Sequence, residues 1–205
     1  DRLSARLLES ERQLQGRDEE LRRLRASLGA QAGKHEEAML ALAAAQQDAA
    51  GFVIACFGDP GLHALRDQTA LPVVGIQEAA VMTALSLGQR FGVISILPPS
   101  IPRHMRAFGA MGVMDRLAGD RALGLGVLEL ADASKSLEAM IRTGLTLRDE
   151  DGADVLITGC AGMAHLREPL EAATGLPVVE PCQAAVSHAL GLIALVGLGL
   201  GLGLG

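Results

Sequence analysis

Two stretches of this 205-residue chain are near-copies of each other, and each carries one cysteine at nearly the same place. The first runs Phe52-Val-Ile-Ala-Cys56-Phe-Gly and then reaches Pro72-Val-Val-Gly-Ile-Gln-Glu-Ala-Ala-Val-Met-Thr-Ala-Leu85. The second runs Val155-Leu-Ile-Thr-Gly-Cys160-Ala-Gly and then reaches Pro177-Val-Val-Glu-Pro-Cys-Gln-Ala-Ala-Val-Ser-His-Ala-Leu190. Between the two Pro-Val-Val segments, 8 of 14 positions are identical without a gap. Cys56 lies 16 residues before its proline and Cys160 lies 17 before its own. A duplicated α/β unit with a thiol in each half implies a site between the halves, flanked by two cysteines. Such a site suits moving a proton off one face of a carbon and onto the other.

Between and around these copies the texture is of short apolar runs separated by Gly and Pro. Residues 52–56, 73–76, 91–97, 126–130, 155–158 and 178–179 read as strands. Helical patterns cover 77–87, 102–117, 134–149, 163–174 and 183–193. The strands are apolar without strict alternation, as expected when helices cover both faces of a parallel sheet. The expected fold class is therefore α/β: two pseudo-symmetric parallel-sheet lobes with a cleft between them, plus an N-terminal helical extension. Residues 1–33 form the extension, 34–90 with 184–205 the first lobe, and 91–183 the second. Glycines blur the reading over 113–125.

In the extension, Leu7, Leu14, Leu21 and Leu28 follow a heptad spacing, whereas the companion seam holds Ser10 and Arg17. A surface helix and a two-stranded zipper both account for that stripe. Gly29 and Gly33 suggest a break, followed by a second helix over 36–50. The C-terminal run 189–205 is apolar but short and about one third glycine, so it reads as a packed helix fading into a Leu-Gly tail rather than a membrane span.

Composition narrows the function classes. A net charge of −6 opposes a nucleic-acid partner, and 4 Phe with no Trp or Tyr leave no base-stacking platform. Three cysteines without a C-x-x-C pair fit neither a disulfide framework nor a zinc site, so no metal is expected. The first residues lack the apolar core of a signal peptide, and a reduced, cytoplasmic compartment is the expectation.

Each repeat cysteine sits past a buried strand and near a glycine. In parallel sheets ligands collect at the carboxyl ends of the strands, where a helix start favours a thiolate. Small residues after the thiols, Gly58 beside Phe57 and Ala161-Gly162, let a ligand approach the backbone amides. Those amides suit the oxyanion formed when a carbon beside a carbonyl loses its proton. A lone cysteine is more often an inert core residue; the duplicated placement reverses that reading for Cys56 and Cys160. Cys182 stands where the first copy has Gln77, so the repeat gives it no paired role. His63 and His165 follow the thiols, although an exposed helix turn accounts for either. Glu78 and Glu180 read as helix-start carboxylates. Gly124-Leu-Gly126 lacks the longer dinucleotide fingerprint.

The segments Gly51-Phe-Val-Ile-Ala-Cys56-Phe-Gly-Asp-Pro-Gly61, Pro72-Val-Val-Gly-Ile, Gly159-Cys160-Ala-Gly-Met163 and Pro177-Val-Val-Glu-Pro resemble the aspartate/glutamate racemase superfamily, most closely its hydantoin racemase branch. The resemblance spans about residues 35–195. It implies two α/β lobes closing over a cleft, no cofactor, Cys56 and Cys160 as the acid/base pair, and Phe57, Gly58, Ala161, Gly162 and Met163 as the substrate-binding set. It also implies a small-molecule substrate and a homo-oligomer. Amino-acid racemases of the superfamily typically follow the first cysteine with Asn-Thr. Phe57-Gly58 here favour a neutral ring, a 5-substituted hydantoin or allantoin. Family members open with a strand and an Asn-Pro-Asn-type loop, where this chain has the heptad helix. Three alternatives therefore stay open: a non-catalytic scaffold assembling through that helix, an Asp/Glu racemase, and a related decarboxylase.

Overall fold

The computed structural model describes the backbone of residues 2–125 and 133–201. Residues 1–47 and 48–205 form two compact units. The first is a single helix, α1 (Arg2–Ala44), with no break at Gly29 or Gly33. A glycine inside a helix costs only about 1 kcal/mol, and neither is accompanied by a proline, so the helix runs through both. The side chains of Leu7, Leu14, Leu21 and Leu28 lie outside the described residues, as does the strand expected at 126–130.

The second unit alternates strands and helices: β1 (Phe52–Ile54), α2 (Leu62–Gln68), β2 (Val73–Gly75), α3 (Ile76–Leu87), β3 (Phe91–Ser95), α4 (Ile101–Met111), β4 (Leu117–Ala122), α5 (Ala133–Asp149), β5 (Val155–Thr158), α6 (Arg167–Thr174), β6 (Val178–Val179) and α7 (Pro181–Gly201). Short 3-10 turns precede α4, β4 and α6. The α/β class stands, with every described strand pairing parallel. The helix expected to reach residue 117 ends at Met111, because Gly112 takes a left-handed φ of 70° there. The residues beyond form β4. α7 extends past the expected residue 193 to Gly201, and no described helix is long and apolar enough to cross a membrane.

Among the described residues two sheets result, β1-β2 and β4-β3-β5-β6. Alternation along the second sheet splits the core between its two faces. Phe91, Val93, Val155, Ile157 and Val179 join Ile76, Ala80 and Val81 of α3, Phe108 of α4 and Ala185 of α7. On the other face Ile94, Leu156 and Val178 join Met140 and Leu147 of α5 and Leu170 of α6. Each fully buried large apolar side chain in these clusters contributes about 2 kcal/mol, so both faces anchor the strand ends that carry the site.

In the larger sheet the chain passes from β3 outward to β4, then returns across β3 to β5 and β6 on its other side. The direction of winding therefore reverses between β3 and β5. In α/β proteins ligands bind beside the carboxyl ends of strands at such a reversal.

Candidate active site

Cys160 lies at that reversal, two residues past the carboxyl end of β5. The residue between must be small: a Cβ on Gly159 would stand 2.7 Å from the Ile94 carbonyl oxygen, and the Gly159 N–H donates to that same oxygen at 2.8 Å. Cys160 then opens the 3-10 turn Ala161–Leu166, and its half-buried Sγ accepts from the Gly162 N–H at 3.4 Å.

Cys56 stands two residues past β1, exposed, in a loop rather than at a helix start, since α2 begins only at Leu62. The loop closes on itself when the Asp59 N–H donates to the Cys56 carbonyl at 3.0 Å. Gly58 adopts a φ of 114° and Asp59 a φ of 47°. Asp59 then reaches the start of α3, where its carboxylate accepts from the N–H groups of Gln77 at 2.9 Å and Glu78 at 2.8 Å. Burial pushes the Asp59 carboxyl above its ordinary range, outweighing those two hydrogen bonds.

Residues beside both thiols touch the same part of the core. Phe57, directly after Cys56, and Ala161, directly after Cys160, pack in one apolar cluster with Val74, Ile76 and Cys182. Of the expected substrate-binding set, Gly58, Ala161 and Gly162 retain exposure. Phe57 and Met163 turn their side chains into the core, at 6% and 0% exposed, so they offer a ligand chiefly backbone. His63 and His165 are both exposed, and neither hydrogen-bonds a thiol among the described residues.

Cys182 is the third thiol. Burial first, then the charge and hydrogen bond of Glu180, then Cys160 push it up to about 11, so it is a neutral thiol near pH 7. Glu180 is the helix-start carboxylate expected from the sequence: it accepts from the Cys182 N–H at 2.9 Å and the Gln183 N–H at 2.7 Å. Glu78 sits in the first turn of α3 and pairs with Arg66 at 2.8 Å.

Sequence reasoning missed Ser95, His104 and Asp120, which meet beside the Cys56 loop. His104 Nδ1 lies 2.8 Å from Asp120 Oδ2, and the His104 ring stands 5.1 Å from that of Phe57. One signal was present: Ile101, His104, Met105 and Phe108 follow the i, i+3, i+4, i+7 spacing of a buried helix stripe.

Comparison with known proteins agrees with this architecture. A hydantoin racemase from Rhizobium meliloti is 40% identical over 143 residues, covering 69% of this chain and 59% of its own length. A hydantoin racemase from a Pseudomonas species is 38% identical over 145 residues, covering 70% of this chain and 58% of that one. The crystal structure of allantoin racemase from Pseudomonas fluorescens superposes with a TM-score of 0.68 at 38% identity, covering 71% of this chain and 62% of that chain. Glutamate racemase from Bacillus anthracis, at 17% identity and a TM-score of 0.60, shares the fold. The chain thus spans about three fifths of the length of the curated relatives it matches. The family profile described as Asp/Glu/Hydantoin racemase matches residues 18–189, and the chain belongs to that family.

Proposed function

We propose that this chain carries the proton-transfer site of a racemase acting on hydantoin-type rings without a cofactor, with Cys56 and Cys160 as the two acid/base groups. The observation that carries the reading is that both repeat-equivalent cysteines follow parallel strands, with their next residues, Phe57 and Ala161, belonging to or packing against one apolar cluster. One thiolate removes the proton from the ring carbon beside the carbonyl, and the electron pair moves into a planar enolate. The opposite thiol delivers its proton to the other face, leaving the two sulfurs with exchanged protonation states. Amides of the partly exposed Gly58, Ala161 and Gly162 are available to the enolate oxygen. Cys182 stays protonated near neutrality and does not compete as a base. A small neutral ring fits a loop in which Phe57 points inward and Gly58 bears no side chain. Two lobes, a homo-oligomer and a cytoplasmic setting belong to the same proposal.

The test is the decay of circular dichroism of an enantiopure 5-substituted hydantoin in D₂O. Protein-dependent decay with deuterium entering at C5 and no loss of carbon dioxide is expected. Either Cys56→Ala or Cys160→Ala should lower the rate by at least about a hundredfold. A single variant that racemises both enantiomers at the full rate would exclude the two-base scheme. Carbon dioxide released from a 2-substituted malonate, with no exchange into the hydantoin, would assign a decarboxylase instead.

A further inference from the structure

The first turn of α4 grips the Cys56 loop with two consecutive side chains, one buried and one exposed. Three polar side chains from the ends of β3, α4 and β4 lie behind it. Ser95 and His104 are 0% and 1% exposed, and the Asp120 side chain is 1% exposed. Ser95 Oγ donates to Asp120 Oδ1 and lies 3.3 Å from His104 Nδ1. An ionised carboxylate only accepts, so the Nδ1 nitrogen 2.8 Å from Asp120 carries a hydrogen. Apolar residues of the same volume would avoid the desolvation cost of this cluster. Ser95 is too deeply buried to attack a substrate, which removes a hydrolytic triad from consideration.

What the cluster does fix is the plane of the imidazole. On one side the ring meets Phe57 edge-on, at 5.1 Å and 80° between planes. On another it meets Phe108 at 6.2 Å. Phe57 directly follows Cys56. Arg103, the residue before His104, covers the next position of the loop: a Cβ on Gly58 would stand 3.0 Å from its Nε.

We propose that His104 is a positioning residue for the Cys56 thiol: held by Asp120 and Ser95, its ring locks Phe57 and thereby the loop that aims Cys56. The inference rests on the acid/base role given to Cys56 above, but its test reads the thiol directly. His104→Asn keeps an N–H for Asp120 and removes the ring. Phe57→Leu keeps apolar volume, removes the edge contact, and carries the test should His104→Asn fail to fold. Iodoacetamide alkylation, which follows the thiolate, is resolved for each cysteine by peptide mass spectrometry between about pH 6 and 9. Melting temperature and racemisation kinetics are recorded alongside.

In both variants the alkylation rate of Cys56 should change at least about threefold and its pH midpoint should move, with Cys160 unaffected. In the same variants kcat should fall roughly 10- to 100-fold while KM changes little. A folded variant with unchanged Cys56 alkylation overturns the proposal. So does an equal change at both cysteines that tracks a fall in melting temperature, the mark of a purely structural cluster. Wild-type protein that racemises no hydantoin sinks the function proposed above, while the Cys56-selective change still decides the role of His104.

Discussion

The two repeats set the same helix start against a carboxylate, but take that carboxylate from different places. In the second, Glu180 precedes α7 and caps it locally through the Cys182 and Gln183 amides. In the first, the equivalent position is Gly75, and the cap arrives from Asp59, eighteen residues before the Gln77 amide it binds. A Cβ on Gly75 would overlap the Asp59 carboxylate, so the glycine and the distant aspartate require each other. The swap continues three residues past each thiol, where Asp59 in one copy matches Met163 in the other, fully buried in the core. The helices themselves meet at equivalent residues, Thr83 Oγ1 lying 3.3 Å from His188 Nε2. Duplication thus kept the electrostatic requirement and exchanged the residue that meets it. The consequence is mechanical. The Cys56 loop is tied to α3 through its cap, whereas the Cys160 loop is held by packing and by the Gly159 bond to β3.

Making the first copy like the second is the harshest test of that comparison. Gly75→Glu alone places a side chain where the Asp59 carboxylate sits and should destabilise the protein by roughly 2–4 kcal/mol in urea unfolding. Adding Asp59→Ala vacates that space and lets the new glutamate cap α3 as Glu180 caps α7. The double variant should therefore be more stable than Gly75→Glu alone, a coupling of at least about 1 kcal/mol. Additive losses would mean that the two caps are not interchangeable.

The local cap of the second copy should be worth less, because removing it displaces no other group. Glu180→Gln should cost about 1 kcal/mol of stability. It should also bring the Cys182 thiol down from about 11, since the charge and hydrogen bond of Glu180 are among the causes that raise it. Thiolate absorbance against pH reads this shift. No movement would leave burial and Cys160 as the causes.

These pairings explain what the sequence could and could not reveal. The repeat showed itself through identities at Pro72 and Pro177 and through the spacing of Cys56 and Cys160, because strand, loop and helix start are local. Glu180 was legible as a cap for the same reason. Asp59 carries no such local signal, since a helix cap is sought beside its helix and not in another loop. Asp120 falls in a glycine-bearing stretch that hid β4, and its partner His104 lies between Arg103 and Met105 in a helix whose buried stripe was overlooked. Polar groups that satisfy one another across separate elements leave no periodic trace in the chain. Gly29 and Gly33 misled in the opposite sense, because a helix tolerates an isolated glycine.

The smallest expected effect concerns the charge on the long-range cap. Burial raises the Asp59 carboxyl above its unfolded value, so between those two values the folded protein binds more protons than the unfolded chain. Stability contributed by this group is present below the unfolded value and is lost as pH rises through the folded one, with a slope no steeper than about 1.4 kcal/mol per pH unit. Asp59→Asn, which keeps one acceptor for the α3 amides, should remove that slope from the acid limb of an unfolding series. A limb that steepens in the opposite direction would mean that the Gln77 and Glu78 amides outweigh burial. The two backbone bonds at the head of α3 would then hold the Asp59 anion more strongly than its burial opposes it.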